Sequence, residues 1–259
     1  MAANVRDDAR QTTLAFLLKA VPLAKRPRLF VRVNGLTTGL TDADLDAVMR
    51  GAPDGLVLPK AEGGVDVTHL SAKLAVREAE NNLADGQTQI LAIATETAKG
   101  VFALGTFAGC SHRLAGLAWG AEDLSADLGA DTNRQEDGRF AEPYRLARAL
   151  TLMGAAAAHT MAIDTVFTNF RHLEGLRAEC ETARRDGFAA KMAIHPAQVA
   201  VINAAFTPTP EAMVRARAIV AAFAANPAAG VIGLEGEMLD MPHLRRAMRT
   251  LAGAPEDMA

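Results

Sequence analysis

A parallel α/β architecture is the fold class this sequence predicts, and three observations carry it. Six short, nearly continuous apolar runs recur along the 259 residues, at 28–34, 55–60, 89–96, 113–120, 161–167 and 191–196. Runs of that kind suit strands covered on both faces. Between them lie longer stretches with helical spacing, and this alternation belongs to a parallel sheet wrapped by helices. Third, polar residues close run after run, and no glycine-rich phosphate loop follows any of them. That favours a (β/α)8-type barrel, with its functional groups spread around one rim, over an open sheet with a single switch point. The count is six strands where a closed barrel needs eight.

The elements follow in order. A helix is expected over 5–20, where Ala9, Leu14, Phe16, Leu17 and Ala20 recur at near-helical spacing. The run "RLFVRVN" (28–34) meets Gly35 as a strand entering a turn. Thr41 is read as the cap of a helix over 41–50, and further helices are expected at 65–83, 139–158, 170–185 and, after Pro210, 211–225. Pro196 starts another behind His195. The tail carries small residues and glycines before a last amphipathic helix and reads as a lid. The expected organisation is therefore an incomplete barrel over 1–225 and a C-terminal lid or oligomerisation segment over 226–259.

Composition narrows the function classes. Half of the residues are hydrophobic, and none of the apolar runs approaches the roughly 18 residues that a membrane span requires. A net charge of −3 offers no basic stripe, and one Trp and one Tyr leave few platforms for stacking bases. Neither a membrane nor a nucleic acid is an expected partner. Cys110 and Cys180 are the only thiols, without a CxxC pair or a secretion signal, so a reducing cytoplasm without disulfides is expected.

The chemistry should sit where the strands end. Arg32 and Asn34, Lys60 and Glu62, Glu96, Glu122 and Asp123, Asp164, Lys191 and His195 all lie at or just after predicted strands. Any one of them alone reads as a solvated loop residue. A parallel barrel gathers them on one rim. Glu96 and Asp123 follow consecutive strands, so their oxygens can meet at one point, and Mg2+ binds through one or two carboxylates with water and substrate oxygens. The six histidines show no HxxxH or HExxH spacing, which argues against zinc and leaves Cys110 and His112 as structural residues. Arg32 sits inside "FVRVN", where alternation points it into the barrel and a desolvated guanidinium needs an anion. That anion is either a structural carboxylate or a substrate carboxylate or thioester oxygen. His195 reads equally as a core or capping residue and as a catalytic one. Lys60 and Lys191 either position anions or snorkel from strand ends.

With these residues placed, the segments "LFVRVN", "GLVLPKAE", "AIATETAKGV", "RLAGLAWGAEDLSADLG", "AIDTVF", "DGFAAKMAIHPAQV" and "GEMLDMP" resemble the citrate lyase β-subunit-like branch of the HpcH/HpaI aldolase family. Malyl-CoA, methylmalyl-CoA and citramalyl-CoA lyases belong to that group. The likeness runs over residues 5–250 in the family's order. It implies a Mg2+-dependent barrel that makes or breaks a carbon–carbon bond between an acyl-CoA thioester and a small oxo acid. On the matching motifs, Glu96 of "ETA" and Asp123 of "EDL" would bind the metal. Arg32 of "VRVN" would contact substrate, with Glu96 and Lys60 beside it, and would stabilise the thioester enolate. Asp240 of "MLD" would transfer a proton from a lid that commonly reaches a neighbouring subunit. Glu122 would orient the loop or a metal-bound water, and Asp127 would cap the succeeding segment. Homotrimers, or multiples of them, are the implied assembly. Three alternatives stand: a citrate lyase β-subunit working on an acyl-carrier-bound substrate, a non-catalytic CoA-binding or assembly relative, and an aldolase for sugar-derived oxo acids. The family pattern begins with two further strands, one "LFVPG"-like and one ending in a "DLED"-like acidic motif. Neither is found here, which accounts for the count of six. A truncated reading of a longer gene is the favoured account, over an oligomer partner that closes the gap or a degenerate relative.

Overall fold

The computed structural model describes residues 3–253. Helix α1 (Ala3–Ala20) precedes β1 (Phe30–Arg32), α2 (Thr41–Val48), β2 (Gly55–Leu58), α3 (Gly64–Glu80), β3 (Gln89–Ile93) and α4 (Ala98–Phe102). Then come β4 (Leu114–Ala118), α5 (Ala121–Asp127), α6 (Glu142–Ala157), β5 (Met161–Asp164), α7 (Leu173–Asp186) and β6 (Ala190–Lys191). The chain continues through α8 (Pro196–Phe206), α9 (Pro210–Ala224), β7 (Val231–Leu234), β8 (Glu237–Asp240) and α10 (Met241–Ala252). It divides into two compact units, Met1–Thr168 with Arg185–Ile194, and Asn169–Arg184 with His195–Ala259.

The first unit holds a six-stranded sheet in the order β1-β2-β3-β4-β5-β6, every neighbouring pair parallel. This sequential parallel order is that of a (β/α)8-type barrel with six of its eight strands, so β1 and β6 are edges. Period-two alternation divides the strand side chains. Leu56, Leu58, Ile90, Ala92 and Leu117 are fully buried on one face. On the other, Ile93, Ala118 and Ile163 form a cluster joined by the half-buried Val57, Leu91, Ala190 and Met192. Burial on both faces is why these strands read as unbroken apolar runs. Gly55 sits opposite Phe30, whose ring would lie 2.2 Å from a Cβ at that position, so the register of β1 on β2 requires a residue without one.

Thr41 does not cap α2. It is the first residue of the helix, and its buried hydroxyl donates to the carbonyls of Asn34 and Gly35, both at 3.1 Å, tying the helix start to the end of β1. In the second unit, Ala216, Ile219, Phe223, Leu239 and Ala247 bring α9, β8 and α10 around one apolar cluster. Before its last helix the tail, where only small residues and glycines were read, forms an antiparallel hairpin, β7 on β8. Glu235 and Gly236 turn the chain with φ of 53° and 83°, the left-handed pair that a two-residue hairpin turn demands. Arg215 from α9 ties this turn down through Glu235 at 3.3 Å and through Glu237. Among the described residues no helix is long and apolar enough to cross a membrane.

Candidate active site

The rim at the C-terminal ends of β2, β3 and β4 brings three of the sequence-selected residues together. Glu96, three residues past β3, is 3 % exposed, and its carboxylate accepts the backbone N–H of Lys60. Lys60 follows β2 with φ of 52°, a left-handed conformation that costs a non-glycine residue energy and turns this N–H onto Glu96. The Lys60 ammonium reaches Asp123 Oδ1 at 3.0 Å from the opposite side. Asp123 stands in the first turn of α5, directly beyond β4. Gly120 makes the approach possible, because a Cβ there would lie 2.6 Å from Glu96 Cγ.

Charge on the rim is unevenly held. Burial pushes the Glu96 carboxyl up to about 7, helped by its hydrogen bond with Asp123 and by that residue's charge. Burial also works to raise Asp123, but hydrogen bonds with Lys60 and Glu96 overcome it and hold that carboxyl below its ordinary range. The two carboxyls therefore share a proton at neutral pH. Arg32 pairs with Val57 in register and so lies on the same face of the sheet, and its charge favours the ionised form of both acids. It differs from the desolvated guanidinium expected from "FVRVN". Arg32 is exposed and makes no ion pair with any described residue.

Other sequence-selected residues have structural partners. Asp164 and Lys191 are both buried and paired at 3.0 Å, so Lys191 does not snorkel. Asp164 also accepts from Trp119 Nε1 at 2.6 Å and Arg148 Nε at 3.1 Å. Burial would raise that carboxyl, but Lys191 and Arg148 hold it down. Asp127 does not bond the segment that follows it, as was expected, but an earlier helix: its carboxylate accepts the Ala98 N–H at 2.8 Å. Glu122 accepts from Asn133 Nδ2 at 2.8 Å, which fastens the 129–141 loop to α5. Glu62 is engaged by Lys99 at 2.7 Å and Thr97 at 3.1 Å. His195 caps α8 through the Ala197 N–H at 3.1 Å and stacks on Phe170 at 4.6 Å. Asp240 ends β8 and caps α10 in a reciprocal box with His243, whose ring nitrogen lies 2.6 Å from its carboxylate and holds it below the ordinary range. Sequence reading missed Gly120, Asn133 and the backbone of Lys60. Gly120 was legible as the glycine between a strand and two acids, whereas neither of the others carries a local signal.

The donor set fits a hard divalent cation. Two carboxyls converge on an open rim, one of them buried and holding a proton that a cation can replace. Among the described residues no group of three or more His, Cys, Asp or Glu side chains is placed to hold a metal ion, so the protein offers these two carboxyls and leaves the other positions to water and substrate. Magnesium takes one or two carboxylates and fills its octahedron with water and substrate. Gly120→Ala is accordingly expected to displace Glu96 and weaken Mg2+ binding roughly tenfold, while the chain stays folded. Calorimetric titration beside a thermal melt checks both halves of that expectation.

Comparison with known proteins places this arrangement in context. Residues 1–196 match the family model described as HpcH/HpaI aldolase/citrate lyase, and residues 139–255 match one described as C-C bond lyase of the TIM-barrel fold. The chain is 34% identical over 225 residues to citrate lyase subunit beta of Leuconostoc mesenteroides subsp. cremoris, covering 86% of this chain and 72% of that protein. It is 32% identical to the mitochondrial citramalyl-CoA lyase of Rattus norvegicus, covering 95% of this chain and 74% of that one. Among solved structures, CitE from Mycobacterium tuberculosis in complex with magnesium, acetoacetate and coenzyme A superposes with a TM-score of 0.73 at 31% identity, covering 98% of this chain and 86% of that one.

Proposed function

Because the chain belongs to the HpcH/HpaI aldolase/citrate lyase family, we propose that it is a Mg2+-dependent carbon–carbon lyase that cleaves a malyl-CoA- or citramalyl-CoA-like thioester into an acyl-CoA and a small oxo acid. The observation that carries this reading is the convergence of Glu96 and Asp123 on the strand-end rim, with Lys60 bonded to both and Gly120 leaving room between them. These two side chains would hold the metal, which when bound supplies Lewis-acid polarisation of the oxo acid's carbonyl. Arg32 keeps a fixed positive charge on the same face of the sheet, suited to the oxyanion that develops as the thioester enolate leaves. Lys60 fixes Glu96 through its backbone, and its ammonium, paired with Asp123 when no substrate is present, would turn to the substrate carboxylate. Asp240, held below its ordinary range by His243, is the proposed proton-transfer group: in condensation it takes the proton of the acyl-CoA α-carbon, and in cleavage it delivers one to that carbon, balanced by the proton that the substrate hydroxyl loses as it becomes the carbonyl. A homotrimer or a multiple of it, in a reducing cytoplasm, completes the proposal.

The test is Mg2+-dependent release of acetyl-CoA or propionyl-CoA from malyl-, methylmalyl- and citramalyl-CoA, with a metal-free control. Turnover of a free thioester supports the reading, and no turnover by folded protein overturns it. Turnover only of a carrier-bound substrate favours the second reading, a citrate lyase β-subunit, to which the likeness with the Leuconostoc protein points. The same site implies a pH dependence. Binding Mg2+ must expel the Glu96 proton, so affinity should rise as pH increases toward 7 and level off above it. Calorimetry in buffers of different ionisation enthalpy should register close to one released proton at pH 6 and little at pH 8.

A further inference from the structure

A buried ionic cluster at the ends of β5 and β6 has no part in the proposed reaction. Asp164 accepts Lys191 Nζ on Oδ2 at 3.0 Å, and on Oδ1 it accepts both Arg148 Nε at 3.1 Å and Trp119 Nε1 at 2.6 Å. Trp119, Asp164 and Lys191 are all buried. Burying an ion pair gains little stability over apolar packing, which leaves the geometry of this one to be explained. Only Trp119 and Gly120 join β4 to α5, so the indole bond holds the turn on which Gly120 meets Glu96 and from which α5 starts toward Asp123. The backbone ties of that turn are weaker. Gly120 N–H donates to Thr95 Oγ1 and Ala121 N–H to Thr165 Oγ1, both at 3.4 Å, the far end of hydrogen-bond range. A bond of 2.6 Å to a carboxylate is the strong anchor among the three.

We propose that Asp164 is a positioning residue of the metal site: through the indole of Trp119 it sets the spacing of Gly120 and Asp123 from Glu96 that a divalent cation requires. This role presupposes that Glu96 and Asp123 hold the metal. Lys191 from β6 and Arg148 from α6 keep the carboxylate aimed at the indole, and Arg148 is itself braced by Asp186 at 2.6 Å. Little slack exists at the turn, because the Gly120 backbone already lies so near Glu96 that a Cβ would stand 2.6 Å from its Cγ. A shift of the indole is therefore felt by both carboxyls. Phe140 also touches the indole, edge to face with centroids 5.0 Å apart, so packing and hydrogen bonding at Trp119 can be removed separately.

Trp119 is the only tryptophan of the chain, so biosynthetic replacement by β-(3-benzothienyl)alanine, an isostere with sulfur in place of the indole N–H, alters this bond alone. By calorimetric titration the full chain carrying the isostere is expected to bind Mg2+ about tenfold more weakly, the order of loss when a group that orients a metal ligand is removed. Its thermal melt should remain a single cooperative transition. Trp119→Phe is measured beside it and should lose affinity in the same direction. Phe140→Leu, which loosens the packing and keeps the bond, should lower the melting temperature and leave Mg2+ affinity unchanged. Parent-like affinity in the folded isostere chain and in Trp119→Phe overturns the role, whatever happens to the melts. An equal loss of affinity in Phe140→Leu overturns it too, because packing around the ring would then account for the effect. No Mg2+ binding by the parent overturns the metal reading, and this role falls with it. Binding by the parent that Asp123→Asn weakens keeps that reading in place whichever way the isostere falls.

Discussion

Asp123→Ala is expected to lower acyl-CoA release by at least about a hundredfold while leaving the chain folded. The loss follows from the donor count: with two carboxyls on the rim, removing one halves the protein's share of a magnesium shell, and Lewis-acid stabilisation is worth several kcal/mol. Stability should change little. The Lys60–Asp123 pair has side chains 54% and 43% exposed, and pairs that open to water contribute about 1 kcal/mol or less. Asp123→Asn sharpens the test, because it keeps the shape and a hydrogen-bond acceptor but removes the charge. Rates measured across a Mg2+ titration should show weaker metal affinity and a lower plateau for both variants, with melting curves close to that of the parent chain. Full activity in either variant at low Mg2+ would remove Asp123 from the site.

The alternation of strand and helix was legible because strands buried on both faces leave a signal that amphipathic helices do not: Gly55–Leu58 and Leu114–Ala118 are apolar at consecutive positions. The meeting of Glu96 with Asp123 was legible for a topological reason, since both follow neighbouring parallel strands and such ends share a rim. What escaped was non-local or conformational. Lys60 reads as a strand-end lysine, and nothing in "LPKAE" announces a left-handed backbone that aims its N–H at a carboxylate 36 residues on. The exposure of Arg32 escaped because alternation predicts a face of the sheet and says nothing of how much of that face is covered. The β7–β8 hairpin hid behind small residues, its Glu235–Gly236 turn lacking the Asn or Asp that normally marks a left-handed pair.

Glu78→Ala is expected to destabilise the first unit by about 3–5 kcal/mol, the cost of stranding one partner of a buried ion pair. Glu78 on α3 and Arg113 at the entrance to β4 are each 1 % exposed and meet in a two-pronged bridge, Nη1 to Oε1 and Nη2 to Oε2, both at 2.7 Å. The carboxylate also accepts the N–H groups of Thr88 at 2.8 Å and Gly86 at 3.0 Å, so its removal leaves a guanidinium and two backbone donors short of acceptors. Ser71, Asp85 and the Thr88 carbonyl still hold Arg113, which keeps the loss from growing larger. Burial works to raise the Glu78 carboxyl, but Arg113 and the two N–H groups win and lower it below 4.5. The pair's contribution is therefore present above that ordinary value and fades as pH falls through the depressed one. Urea denaturation at pH 7 and pH 3 should show the gap between parent and variant shrinking toward the acid side. Glu78→Leu combined with Arg113→Met should cost less than Glu78→Ala alone, because no charge is then left buried without its counterpart. A Glu78→Ala cost below about 1 kcal/mol would instead place this bridge among the weak surface pairs.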